Sequence, residues 1–386
     1  MKVYRENGLP IKAWLDDIED SALEQAFNLA ELPFVYKHIA LMPDAHPGYG
    51  MPIGGIMATK GVVVPYAVGY DIGCGMCAVS LGIKDINTEE LKRVLGLIRK
   101  RIPVGKNRHK EVKITGYLPE LHNDTPIVER EYEKARKQVG TLGGGNHFIE
   151  IQKGSDGYIY IMIHSGSRNL GHQVAGHYNK VAVELNERWF SKVPKKWELA
   201  FLPTDTPEGK AYMAEMEYCV AFARKNRALM MNEVIKIFAS EGISGPEETY
   251  LDVAHNYAAR ENHFGQNVIV HRKGATRAYE GRRGIIPGSQ GAFSYIVKGK
   301  GHEMAYKSCS HGAGRKMGRK EAIRSLDMAE QINILDAQGV VFHSVRNKGN
   351  LDEAPGAYKD IGEVMANQTD LVDVEVELTP LAVIKG

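Results

Sequence analysis

Apolar residues recur every three or four positions in some stretches of the chain and alternate with polar ones in others, and these two periods divide it into helices and strands. Capping-box spacings, Ser21 with Glu24 and Asn87 with Glu90, predict helices through "SALEQAFNLAEL" and "NTEELKRVLGLIRKR". Longer helical stretches run through "LGHQVAGHYNKVAVELNERWF" and "GKAYMAEMEYCVAFARKNRALMMNEVIKIFA". Runs rich in β-branched and aromatic residues predict strands at "YIYIMIH", "NVIVHR", "FSYIVKG", "GVVFHSV" and the terminal "LVDVEVELTPLAVIK". Strands and helices do not alternate strictly, so the pattern predicts an α+β fold with mixed sheets and not a doubly wound parallel sheet. We read residues 1–386 as a single domain, with the helical block from about Gly171 to Ser240 as a candidate insertion or subdomain.

Composition narrows this picture. Hydrophobic residues make up 43% and charged residues 25%, the balance of a soluble globular chain. No apolar run approaches the roughly 18 to 20 residues of a membrane span, and the amino terminus "MKVYRENGLP" is too polar for a secretory signal, so a cytoplasmic protein is expected. The scattered cysteines Cys74, Cys77, Cys219 and Cys309 do not form a disulfide framework. A net charge of +2 does not by itself indicate nucleic-acid binding. Local basic stretches exist, Arg99 to Lys113 and "RKGATRAYEGRR" from Arg272 to Arg283, and each taken alone reads as a solvated face. Glycine is the outlier, with 41 of 386 residues, and it clusters around embedded polar or ionisable side chains, as in "VGYDIGCGM", "GTLGGGNHF", "HSGSRNLGH" and "SHGAGRKMG". Loops of that kind bring backbone close to phosphates or metals.

Histidine supplies the candidate chemistry. His147, His164, His255 and His311 lie at predicted element ends beside glycine or asparagine, and Asp71 and Cys74 offer anionic ligands. Any one of these histidines alone reads as a hydrogen-bonded structural residue; together they favour a shared site. Their wide separation excludes a zinc finger. Ligand softness alone favours Zn²⁺ or a related borderline metal, and a thiolate can bridge two ions, an arrangement suited to displacement at phosphorus. His311 differs in kind: Gly312 and Gly314 permit a phosphate-cradling backbone and Arg315 adds a bidentate donor, so it reads as a ligand, general acid or nucleophile.

The segments "MPDAHPGYGMPIGG", "DIGCGM", "GTLGGGNHFIE", "HSGSRNLG", "HNY", "RKGA", "IIPGSQGAFSY", "SHGAGRKMGR", "AYKDI" and the terminal "KG" occur in the order and approximate spacing of the RtcB-type, GTP-dependent RNA-splicing ligases, which the chain resembles from about residue 10 to its end. The resemblance implies an RtcB-like mixed-sheet fold around a central dinuclear cleft. It implies an enzyme of tRNA splicing or RNA repair that joins an RNA 3′-phosphate or 2′,3′-cyclic phosphate end to a 5′-hydroxyl end, using GTP and two Mn²⁺ ions. A guanylated histidine, for which His311 stands in the matching motif, passes GMP to the RNA 3′-phosphate, and the 5′-hydroxyl then displaces GMP. It also implies Asp71, Cys74 and His147 as ligands of one metal and Cys74, His164 and His255 as ligands of the other. The implied nucleotide pocket comprises Asn146, His147, Phe148, Ile149, Glu150, His255, Asn256, Pro287, Gly288, Ser289, Gln290, Ser294, His311, Gly312, Ala313, Gly314 and Lys385. Glu150 would accept from guanine N1–H and the exocyclic amine, a pairing adenine does not offer. Tyr358 is a candidate to pack on the base, Arg168 and Arg315 suit RNA phosphates, and Asp44 is an additional functional carboxylate. Departures are small: the chain reads "LDVAHNY" where some relatives add a histidine or cysteine, Gln290 stands where methionine is common, and Arg101 to Gln138 is short and divergent. A two-metal phosphohydrolase of RNA ends would need the ligands but not His311, Glu150 or Lys385. A non-catalytic RNA-binding protein would need none of them. The expected partner is RNA and not a membrane, for a monomer or dimer, with an activating protein partner left open.

Overall fold

Two sheets that mix consecutive strands with distant ones carry the structure, a computed structural model that describes residues 1–112, 118–121, 124–243, 245–246, 248–343 and 348–386. The larger, eight-stranded sheet runs in the order Glu248–Ala254, Gly75–Ser80, Ile159–Ser165, Phe148–Gly154, Val372–Lys385, Ser294–Gly299 and Arg283–Ile286, with Val341–His343 added in parallel beside Val372–Lys385. The six-stranded sheet runs Lys2–Tyr4, Ile11–Ala13, Val35–His46, Ile53–Thr59, Gln266–Lys273 and Asn256–His263. Its pairs are antiparallel except Ile11–Ala13 against Val35–His46. The mixed-sheet α+β fold expected from the pattern is therefore what forms. The "GVVFHSV" strand is present over Val341–His343, and its last two residues, like Lys113 of the first basic stretch, lie outside the described residues.

Helix Thr88–Arg101 begins as the sequence predicts: the Asn87 side chain accepts from the Glu90 N–H and the Glu90 carboxylate accepts from the Asn87 N–H, both at 2.9 Å. The first helix departs from expectation. It spans Asp20–Ala30 with Glu19 at the N-cap position, so Ser21 sits inside the first turn and caps nothing. Acidic Asp20 instead complements the positive end of the helix dipole.

The predicted helical block resolves into Asn169–Arg188 and the 34-residue helix Pro207–Ser240. Met230, Val234 and Ile237 of the latter, with Leu91, Val94 and Ile98 of Thr88–Arg101, pack on Ile149, Ile151, Ile161 and Ile163 of the larger sheet. One face of the sheet is thus closed by helices, and the ends of its central strands are held against the long helix. No helix among the described residues is long and apolar enough to cross a membrane.

Strand ends converge at one place. Cys74 precedes Gly75–Ser80, His164 lies at the end of Ile159–Ser165, and His147 precedes Phe148–Gly154. Cross-strand register sets Met76 and Phe148 both opposite His164 and Gly75 opposite Ala254. His255 is the single residue between Glu248–Ala254 and Asn256–His263, where the chain passes from one sheet to the other.

Candidate active site

The five residues named as ligands come together. Cys74 Sγ lies 3.2 Å from His164 Nε2 and 3.4 Å from His147 Nε2, and His164 Nε2 lies 3.4 Å from His255 Nε2. His147 Nε2 lies 3.1 Å from an Asp71 carboxylate oxygen. The ligand atoms of Cys74, His164 and His255 all fall within 4.8 Å of one another, as do those of Asp71, Cys74 and His147, so Cys74 belongs to both groups.

The hydrogen bonds around these rings fix their tautomers. His147 Nδ1 is 2.9 Å from the Leu142 carbonyl and His164 Nδ1 is 3.1 Å from the Asn146 carbonyl. A carbonyl only accepts, so each Nδ1 carries the proton and each Nε2 directs its lone pair at the shared centre. Burial, and for His164 the neighbouring His147, hold that ring neutral; burial and the nearby His311 do the same for His255. Burial and then the Asp71 carboxylate push the Cys74 thiol well above its usual value. The Nε2 lone pairs of His147 and His164, the Asp71 carboxylate and the Cys74 sulfur crowded together form the donor set of a cation site, and the buried Cys74 thiol gives up its proton there to a bound cation.

Backbone shape explains the glycines flanking Cys74 differently for each. Gly73 has φ +75°, and a Cβ there would meet Val220 Cα of the long helix at 2.8 Å. Gly75 has no positive φ; its lack of a side chain is required because a Cβ would lie 2.3 Å from the Val253 carbonyl oxygen.

The long helix also braces the centre with two buried polar residues that the sequence did not single out. Arg227 makes two 2.8 Å hydrogen bonds to the Asp252 carboxylate and donates from its remaining edge to the Gly73 carbonyl at 3.0 Å and the Ser165 carbonyl at 2.9 Å. Asn226 accepts from the Gly140 and Thr141 N–H groups at 2.7 and 3.1 Å and donates to the loop at Gly166. These bonds reach the backbone beside Cys74 and His164 and the loop leading to His147.

A cleft of about 330 Å³ opens from the ligands. Phe148, Glu150, Lys385 and Tyr358 line one end, and Pro287 to Gln290, Asn146 and Asn256 also reach it. Ile149 does not: strand alternation turns it to the opposite face, into the helix-covered core. Ser294 is buried, and its hydroxyl accepts from Gln152 Nε2 at 3.1 Å and from the Gly288 N–H at 3.2 Å, so it shapes the wall from behind. Burial raises the Glu150 carboxyl to about 8, although Lys385 and a 2.8 Å hydrogen bond from Gln152 oppose the shift.

His311 faces the same cleft, its ring centroid 4.8 Å from that of His255. One Asp44 oxygen accepts from His311 Nδ1 at 2.6 Å, from the His311 backbone N–H at 3.0 Å and from the Gly312 N–H at 3.3 Å. Burial works to raise the Asp44 pKa, but the His311 ring and its hydrogen bond prevail and hold the carboxyl below its usual value. Nδ1 is thereby committed, and Nε2 has no hydrogen-bond partner among the described residues. Gly314 closes the turn at φ +72°, with Asp44 backbone where a Cβ would stand.

The arginines singled out from sequence have protein partners. Arg168, at φ +61°, donates to Thr141 Oγ1 at 3.2 Å and to the Gly105 carbonyl at 3.1 Å. Arg315 lies over the Tyr358 ring, 5.1 Å from its centroid, and bonds to the Asp352 carbonyl and Glu353. Glu353 also pairs with Arg319 at 2.7 Å and lies 3.7 Å from Lys385, linking the chain terminus to the cleft. The second basic stretch is not a simple solvated face: Arg272 is buried in a double ion pair with Glu261, and buried Lys273 lines the cleft. The "RKGA" motif was the signal for Lys273; nothing local in the sequence marks Glu353 or Asn226.

The family described as "tRNA-splicing ligase RtcB" matches residues 25–123 and 115–386. An "RNA-splicing ligase RtcB" of Escherichia coli (strain K12) is 36% identical over 98% of this chain and 97% of its own length. A "tRNA-splicing ligase RtcB" of Thermococcus kodakarensis is 31% identical over 95% of this chain and 92% of its own, and one of Nanoarchaeum equitans is 33% identical over the same shares.

Proposed function

The chain belongs to the family of the tRNA-splicing ligase RtcB, and from that premise we propose that it is a GTP- and Mn²⁺-dependent ligase joining RNA 3′-phosphate or 2′,3′-cyclic phosphate ends to 5′-hydroxyl ends. The observation that carries the mechanism is the Asp44–His311 pair. With Nδ1–H donated to a buried carboxylate, His311 Nε2 presents its lone pair to the cleft. It attacks the α-phosphorus of GTP, pyrophosphate leaves, and the positive charge that develops on the ring is stabilised by Asp44. A cyclic phosphate end is first hydrolysed, water adding to phosphorus as O2′ leaves; the RNA 3′-phosphate then takes GMP from His311, and the 5′-hydroxyl attacks the phosphorus of that activated end and expels GMP.

The Glu150 end of the cleft suits guanine. The Glu150 carboxylate accepts from N1–H and the exocyclic amine, while Lys385 offsets the charge acquired on ionisation. Asp71, Cys74 and His147 would hold one ion, and Cys74, His164 and His255 the other. Bound there, the ions supply charge neutralisation at the reacting phosphates. Arg227 and Asn226 act through the ligand loops and are positioning residues.

Incubation with α-labelled GTP and Mn²⁺ is expected to yield an acid-labile GMP–protein adduct that is absent in His311→Ala. Wild-type protein without an adduct would overturn the nucleophile assignment. A phosphohydrolase of RNA ends would have no use for an aligned His311, a buried Glu150 or a buried Lys385.

A further inference from the structure

Beside the ligand Asp71, one wall of the cleft is made of tyrosines. Tyr49 and Tyr70 both line it, and Tyr70 immediately precedes the ligand Asp71. Tyr49 is 63% exposed although its neighbours form an ordered aromatic set. Tyr49 meets Tyr70 edge to face at 6.3 Å and 88°, Tyr70 meets Tyr66 at 5.9 Å and 82°, and the exposed His172 ring lies 5.1 Å from Tyr70 at 34°. The Tyr66 and Tyr70 hydroxyls are 3.4 Å apart.

This set is anchored from below. Lys273 is buried, and its Nζ donates to the Tyr49 carbonyl at 2.5 Å and the Tyr66 carbonyl at 3.1 Å, tying together the two loops that carry the rings. Its methylenes also fill the space over Gly69, which has φ +92°. A buried lysine used to hold two backbone turns, with an aromatic face left open to solvent above them, is a pre-organised surface that no described residue covers. Flat aromatic faces beside a phosphate-binding centre take nucleobases by stacking, and do so whatever the base.

We propose that Tyr49 and Tyr70, with His172 beside them, form a stacking shelf for a nucleobase at the RNA end being joined, so that guanine and RNA meet at His311 and the ligand cluster. The inference rests on the ligase reading for the identity of the strand. The shelf holds the terminal nucleotide by its face, without base discrimination, and leaves the adjacent phosphate directed at Asp71 and Cys74.

The test compares Tyr49→Leu, Tyr49→Phe and wild type for affinity toward a short RNA bearing a 3′-phosphate, measured by fluorescence anisotropy without GTP, and toward the same RNA with an abasic terminal nucleotide. Wild type and Tyr49→Phe are expected to bind the normal RNA about ten-fold more tightly than Tyr49→Leu does. The abasic end should abolish that difference, and the four natural terminal bases should behave alike. Equal affinity of wild type and Tyr49→Leu for the normal RNA would overturn the proposal, as would an equal Tyr49→Leu defect with the abasic RNA, which signals a structural effect. GMP–His311 adduct yield, read separately on each protein, tells failure of the shelf from failure of the ligase reading, because the binding measurement does not depend on guanylylation.

Discussion

Replacing Arg227 by methionine removes a side chain that is wholly buried and leaves three acceptors behind: the Asp252 carboxylate, 8% exposed, and the Gly73 and Ser165 carbonyls. Removing one partner of a buried ion pair costs about 3 to 5 kcal/mol, because the other charge stays buried without its counter-ion. Unfolding entropy of about 2.1 cal/mol/K per residue gives a 386-residue chain roughly 0.8 kcal/mol/K, so the melting temperature should fall by about 4 to 6 °C. A second consequence is local. Gly73 and Ser165 adjoin Cys74 and His164, so loss of the bonds to their carbonyls frees the ligand loops. Loss of support of this kind costs about 10- to 100-fold in metal affinity. The double variant Arg227→Met with Asp252→Asn removes the orphaned charge and should recover most of the melting temperature but not the Mn²⁺ affinity, since both carbonyls remain unpaired. Differential scanning calorimetry and Mn²⁺ titration read the two quantities. Melting within about 1 °C of wild type together with unchanged Mn²⁺ affinity would refute the reasoning.

Further outcomes follow from the same geometry. Asp44→Asn keeps the shape but weakens the grip on the His311 tautomer, and single-turnover guanylylation should slow by about 10²- to 10⁴-fold, the upper value being that of the corresponding change in a serine-protease triad; a loss under five-fold would count against the pairing. Cys74→Ala should lower bound Mn²⁺, measured by elemental analysis after desalting, and abolish adduct formation, whereas full metal content would contradict a shared thiolate. Glu150 titrates near 8 in the folded chain against its usual 4.5, so between those values the unfolded chain gives up a proton that the folded one keeps, and stability falls as pH rises across the window. Guanine binding favours the carboxylate, so GTP binding at pH 7 should release close to one proton in wild type and none from this site in Glu150→Gln, as calorimetry in buffers of different ionisation enthalpy would show.

Much of the site was legible in the sequence because its residues are unusual where they stand. Asp71, Cys74, His147, His164 and His255 are ionisable groups set among glycines or at strand ends, and strand geometry brings such ends to one edge. Asn226 and Arg227 were not legible, because polar residues inside a long helix look the same whether they face water or the interior. Packing of that helix against the Gly140–Thr141 loop and the strand ends at Gly73, Ser165 and Asp252 buries them. Ile149 was carried into the pocket by a contiguous motif, yet a strand sends alternate side chains to opposite faces. Ser21 had the spacing of a cap, but the chain entered its helix earlier. Tyr49 and Tyr70 look like ordinary turn tyrosines until Lys273, a distant residue of the six-stranded sheet, is seen to hold their loops together.

The most direct test of the central claim uses RNA labelled at the phosphorus of its 2′,3′-cyclic phosphate end, mixed with a separate 5′-hydroxyl RNA, GTP, Mn²⁺ and the protein. The account predicts a longer RNA whose labelled phosphate has become the internal junction, resistant to phosphatase, formed only with GTP present and not by His311→Ala. Opening of the cyclic phosphate with no joined product in the wild type would contradict it.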